Sequence, residues 1–114
     1  MQSKRFMRSE ELEWEELGGG MQRQILGYDE TVMLLRVRFA KGAVGARHSH
    51  PHRQTSLVES GRFEVEIGGE TSVLEKGDAF FVPPDVEHGV VALEDGVLTD
   101  AFAPARADFL GITE

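Results

Sequence analysis

The stretch Gly42-Ala43-Val44-Gly45-Ala46-Arg47-His48-Ser49-His50-Pro51-His52-Arg53-Gln54-Thr55-Ser56-Leu57-Val58-Glu59-Ser60-Gly61 decides the reading of this chain. Glycines bound it, and three of its histidines stand at alternate positions. On extended backbone, alternate side chains share a face. His48, His50 and His52 are therefore expected on one side, with Gln54 in the same parity. Two imidazoles at this spacing can meet one cation with no helical turn between them. The remaining histidine, His88, opens another apolar segment. A nitrogen-rich set with one amide oxygen and no thiolate suits one divalent ion of the Zn, Ni, Mn, Fe, Co or Cu group. Calcium, which prefers carboxylate cages, is a poor fit. Taken alone, the histidine pentapeptide suits a solvated polar loop equally well. Pro51 disturbs the alternation just before His52, which reads as a flanking residue rather than a ligand.

Outward from this stretch the period of two persists. Phe63, Val65 and Ile67 alternate with Glu64 and Glu66; Met33, Leu35, Val37 and Phe39 share a face opposite Arg36 and Arg38. Further strand candidates are residues 22–28, 55–60, 71–75, 79–82, 88–93 and 97–103. Gly68-Gly69, Ser60-Gly61, Lys76-Gly77, Pro83-Pro84-Asp85 and Glu94-Asp95-Gly96 supply turns. Residues 9–17 are the one helical candidate, with Ser9 as a cap. The alternation of Leu12 and Trp14 with glutamates favours a strand or irregular backbone there instead. Eight or more short strands with frequent turns point to an all-β small barrel or jelly-roll sandwich.

The 114 residues read as one domain, with a lead-in segment 1–20, a barrel 21–103 and a tail 104–114. A 40% share of hydrophobic residues is enough for a core. The net charge of -8 repels phosphate backbones, so nucleic acid is not an expected partner. No apolar run approaches the roughly 18 residues of a membrane span. Lys4, Arg5 and Arg8 are followed by Glu10 without an apolar stretch, unlike a signal peptide, so a cytoplasmic protein is expected. The absence of cysteine removes disulfides, thiolate metal sites and a cysteine nucleophile.

Gly42 is followed after five residues by His48-Ser49-His50, after three more by Gln54 and after six more by Gly61. Gly77 is followed after five residues by Pro83, then Asp85 and His88. Both spacings, in this order, resemble the two motifs of the cupin family. That resemblance implies a double-stranded β-helix (jelly-roll) barrel with one metal inside. Three positions depart from it: Gln54 stands at the family's glutamate ligand, Asp85 at a glycine and Ala92 at an asparagine. Only Gln54 would touch the metal; an amide there raises the site's charge by one and weakens its hold on the ion.

A narrower resemblance runs from Trp14 to Leu110. It rests on Trp14-Glu15-Glu16-Leu17-Gly18-Gly19-Gly20, the histidine motif with Gln54, Ser60-Gly61-Arg62-Phe63-Glu64, Ile67-Gly68-Gly69-Glu70-Thr71, Val86-Glu87-His88-Gly89, Leu93-Glu94-Asp95-Gly96, and the closing Asp100-Ala101-Phe102-Ala103-Pro104-Ala105-Arg106-Ala107-Asp108-Phe109-Leu110. These segments resemble the single-domain pectin-degradation cupins of the KdgF type. That family linearises 4,5-unsaturated monouronates left by pectin or alginate lyases. The resemblance places metal ligands at His48, His50, Gln54 and His88, and further active-site residues at Asp100, Phe102 and Arg106.

The residues themselves bear on these roles. Period two puts Leu98, Asp100 and Phe102 on one apolar, inward face, where a carboxylate is expensive unless paired or functional. A buried ion pair with an arginine is the structural alternative for Asp100, a core position that for Phe102, and a surface position that for Arg106. Asp108, Glu64, Glu66 and the acids between residues 10 and 16 read as solvated surface. The expected activity is a metal-dependent isomerisation of an anionic sugar acid to its open-chain keto acid. Asp100 would move the proton, Arg106 hold the carboxylate and Phe102 wall the sugar. An iron-dependent cupin dioxygenase and a non-catalytic sugar-acid-binding cupin are the alternatives. A homodimer is expected, since small cupins pair through edge strands that need cover.

Overall fold

The computed structural model describes residues 1–111. The last three residues of the expected tail, 112–114, lie outside the described residues. Ten strands follow one another: β1 Glu15–Gly18, β2 Met21–Tyr28, β3 Met33–Phe39, β4 Val44–His48, β5 Arg53–Ser60, β6 Arg62–Ile67, β7 Glu70–Glu75, β8 Ala79–Val82, β9 His88–Ala92 and β10 Gly96–Ala103. They form two antiparallel sheets, one ordered β1-β2-β3-β10-β5-β8 and the other β4-β9-β6-β7. This is the all-β jelly roll that the alternation and the motif spacing predict. Among the described residues the helical elements are two 3-10 turns, Ser9–Glu11 and Ala107–Leu110. No helix among them is long and apolar enough to cross a membrane.

The period-two pattern is realised as burial. In β5, Gln54, Ser56 and Val58 point inward; in β10, Leu98, Asp100 and Phe102 do. In β3, Met33, Leu35 and Phe39 are buried while Leu34 is exposed. One apolar cluster gathers Phe39, Val58, Phe63, Val82 and Leu98. Phe39 and Phe63 meet edge to face there, at 5.1 Å between ring centres. A second cluster holds Met33, Leu35, Phe102 and Ala105, with Phe109 and Leu110 packed against it. The C-terminal 3-10 turn therefore folds back on β3 and β10.

Residues 9–17 are neither one helix nor one strand. A 3-10 turn is followed by irregular backbone, and β1 begins only at Glu15. Gln24 on β2 fixes this segment: its amide nitrogen donates to the carbonyls of Ser9 and Leu12 at 2.8 and 3.3 Å. The strand β4 is absent from the sequence-based candidates. Its Val44-Gly45-Ala46 run has little β-branched or aromatic character, and pairing with β9 supplies what propensity does not. Nor does extended backbone run unbroken through the three alternating histidines. β4 ends at His48, and a bend at Pro51 and His52 precedes β5. Asp85, with φ at 63°, takes the left-handed turn that suits the glycine of the family pattern. Its N–H donates to the His50 carbonyl at 2.8 Å, which pins the histidine loop to the loop before β9.

Candidate metal centre

β4 and β9 pair with His48 opposite His88. His50 follows in the loop, and Gln54 opens the facing sheet on β5. One ring nitrogen from each of His48, His50 and His88 lies within 4.8 Å of the others. Ring centres are 4.3 Å apart for His48–His88 and 4.8 Å for His50–His88. His50, Gln54 and His88 are buried, while His48 is exposed and marks the open side.

Each of the three rings is held the same way. Nδ1 of His48, His50 and His88 meets the carbonyl of Ala46, His52 and Val86 at 2.8, 3.0 and 2.9 Å. A carbonyl only accepts, so each Nδ1 carries the hydrogen and each neutral ring keeps its lone pair on Nε2. Carbonyl-anchored imidazoles are the usual support of metal-ligating histidines. Nε2 of His88 is buried with no hydrogen-bond partner among the described residues. Nε2 of His50 faces Oε1 of Gln54 at 3.0 Å. Two lone pairs facing each other at that distance repel unless a proton or a cation lies between them. Burial pushes the pKa of His50 and of His88 down, which favours the neutral ring that a metal needs. The donor set, three imidazole nitrogens and one amide oxygen, thus fits a borderline divalent ion. His52 contributes its carbonyl to His50. Its ring stands beside Phe102, 6.4 Å between centres, outside the three-histidine group.

A cavity of about 150 Å³ opens beside these ligands. His48, Gln54, His88, Asp100, Phe102 and Arg106 all line it. Its size is below the roughly 300–1,000 Å³ of drug-sized ligand sites, so it suits a molecule of about one ring. A larger, shallow depression of about 510 Å³, bounded by Glu16, Gln22, Arg38 and Asp95, includes none of the histidines.

Asp100 is 7% exposed and opposite Ser56 in the β10–β5 register. Its partner is the Ser56 hydroxyl, which donates to Oδ1 at 2.5 Å. Arginine pairing, the structural alternative for Asp100, is absent from the ion pairs of the described residues; Arg106 bonds Asp108 instead. Burial pushes the Asp100 carboxyl up to about 6, against smaller opposing pulls from Ser56 and Arg106. Arg106 donates from Nε and Nη2 to the two oxygens of Asp108 at 3.1 and 3.0 Å. Its guanidinium lies 4.1 Å from the Phe109 ring centre and 5.2 Å from that of Phe102. Asp108 is exposed, as the sequence predicts, but it is bound to Arg106 rather than merely solvated. Arg23, also lining the cavity, stacks on Phe109 at 3.9 Å. Sequence reasoning passed over Ser56, although its inward parity between Gln54 and Val58 was readable. The Arg106–Asp108 pair depends on the path of a non-repeating tail, which no periodicity encodes.

A family model described as a cupin domain matches residues 35–99. The chain belongs to the cupin family. This cupin is 47% identical over 109 residues to the pectin degradation protein KdgF of Dickeya dadantii (strain 3937), covering 94% of the chain and 99% of that protein. Its fold matches an RmlC-like cupin from Shewanella frigidimarina with a TM-score of 0.93 and 47% identity, over 95% of this chain and 97% of the other. It matches KdgF from a Halomonas species with a TM-score of 0.90 and 40% identity, over 94% and 99%.

Proposed function

We propose that this cupin acts in pectin or alginate breakdown by converting 4,5-unsaturated monouronates to the linear keto acid. The observation that carries the reading is the one-ring cavity that His48, Gln54, His88, Asp100, Phe102 and Arg106 share. Its likeness to proteins named for pectin degradation supplies the substrate class. The substrate is a cyclic hemiacetal whose C4–C5 double bond is conjugated to a carboxylate. Opening the ring takes the proton from O1, forms the C1 carbonyl and breaks the bond from C1 to the ring oxygen. That oxygen stays on C5 as an enolate. Protonation of C4 then leaves a ketone at C5. One proton leaves and one arrives, so no oxidant or reductant is consumed.

His48, His50, Gln54 and His88 would hold a divalent cation, which when bound supplies a Lewis acid for the developing negative charge. Asp100 carries the proton to C4; a carboxyl with its pKa raised to about 6 both gives and takes protons near neutrality. Arg106 orients the substrate carboxylate. Its Nε–Nη2 edge is taken by Asp108, so the Nη1–Nη2 edge is the one a second carboxylate can meet side on. Phe102 forms the wall on which the ring lies and keeps water from the enol.

Lyase-generated unsaturated monouronate tests the proposal. Enol-acid absorbance should fall faster with metal-loaded protein than in buffer. Loss at the buffer rate overturns the enzymatic reading, and tight binding without turnover makes the protein a sugar-acid-binding cupin. Oxygen uptake with thiols or catechols would instead indicate a dioxygenase.

A further inference from the structure

β5 sets Gln54 and Ser56 two residues apart on its inward face, and β10 sets Asp100 directly across from Ser56. The three side chains form one buried chain of hydrogen bonds. The Gln54 amide nitrogen donates to Ser56 Oγ at 3.0 Å, and the Ser56 hydroxyl donates to Asp100 Oδ1 at 2.5 Å. Ser56 is 2% exposed, so water is not at hand to replace either bond.

A glutamine amide has two ends of nearly equal shape and opposite polarity. Only its oxygen can serve a cation. Turned over, the amide would aim N–H donors at the histidine nitrogens and its oxygen at Ser56. The one hydroxyl proton of Ser56 is committed to Asp100, so Ser56 offers Gln54 only lone pairs. Lone pairs accept the amide N–H and repel the amide oxygen. We infer that Ser56 is a positioning residue that relays the polarity of the Asp100 carboxylate to Gln54 and fixes the amide oxygen toward His50. The inference rests on the cation-site reading of the three histidines and Gln54, and it deepens that reading. It assigns to Asp100, besides any work on substrate, a share in building the site. It also accounts for the hydroxyl at position 56. A glutamate at position 54 accepts through both ends and needs no such control; a glutamine needs a neighbour that can only accept.

A zinc titration of the chelator-stripped full chain, in competition with a chromophoric chelator, tests the relay. Parent, Ser56→Ala, Gln54→Glu and the double variant form a cycle, with metal-free melting curves as the control for folding. Ser56→Ala should weaken zinc binding by about 10–100-fold, the usual effect of losing an outer partner of a ligand. Ser56→Cys, close in volume but weak in hydrogen bonding, should behave alike and guards against a packing fault. In the Gln54→Glu background the same Ser56→Ala change should cost less than about threefold, because the coupling between the two sites is gone. Equal losses in both backgrounds, or parent-level affinity in Ser56→Ala, would overturn the relay. A parent chain that binds no zinc would refute the cation site itself, an outcome distinct from a parent that binds and a Ser56→Ala variant that binds equally.

Discussion

Asp100 is a buried carboxyl group between Leu98 and Phe102 on the inward face of β10, and its hydrogen-bond partner among the described residues is the Ser56 hydroxyl. An aspartate in an unfolded chain loses its proton near 3.8, whereas burial holds this one to about 6. Between those values the folded state binds more protons than the unfolded one. Stability therefore falls as pH rises through that window, and above it the buried charge costs about 3 kcal/mol. Asp100→Asn should make the metal-free protein more stable than its parent above about pH 6, with the gain fading to nothing below about pH 4; thermal melts across pH check this. His50 and His88 shift the other way, so their contribution is lost as pH falls through and below 6.5, their ordinary value. The same Asp100→Asn variant should slow turnover by about 10²- to 10⁴-fold with little change in substrate binding. A raised Michaelis constant with unchanged turnover would make Asp100 an orienting residue instead. Gln54→Glu adds a negative charge to the ligand set. It should bind the metal more tightly and turn over more slowly, measured by chelator competition and steady-state rates.

At the scale of elements, the turns and the tail carry the tests. Gly61, between β5 and β6, has φ at +83°, and a Cβ there would stand 2.5 Å from the Asp95 carbonyl oxygen. Gly61→Ala meets backbone rather than a movable side chain, so it should destabilise by about 2–4 kcal/mol, read from denaturant unfolding. The C-terminal 3-10 turn presents Asp108 to Arg106. Arg106→Lys keeps the charge but loses the planar fork, so it should raise the Michaelis constant first. Asp108→Ala, which frees the guanidinium without removing it, should act in the same direction and more weakly. The sequence made most strands legible because each sheet face is buried on one side, which writes period two into β3, β5, β6 and β10. It hid β4, whose pairing with β9 is tertiary, and it hid the stop at His48, where Pro51 and the bond from Asp85 to His50 turn the chain. Inward placement of Asp100 was readable from Leu98 and Phe102. Its partner was not, because the cross-strand register that sets Ser56 opposite Asp100, and the rotamer that joins them, are tertiary and no spacing records them.

On the scale of the whole molecule, the two sheets divide the work. The sheet holding β4 and β9 gives His48 and His88; the sheet holding β5 and β10 gives Gln54, Asp100 and Phe102. A cation held between them would tie both sheets together and link metal binding to folding. If the chain is the single domain its length suggests, it should melt in one transition. That transition should rise by about 10 °C with free metal at a hundred times its dissociation constant, a gain of about 2.7 kcal/mol. Metal should be released below about pH 6, as the imidazoles take up protons.

The most direct test is proton NMR of 4,5-unsaturated galacturonate in D2O with metal-loaded protein. The account predicts that the vinylic C4 signal decays faster than in buffer and that deuterium enters the product at C4. With Asp100→Asn, at zinc high enough to keep the site filled, the decay should return close to the buffer rate. Decay at the buffer rate with the parent protein, or undiminished acceleration with Asp100→Asn, would contradict it.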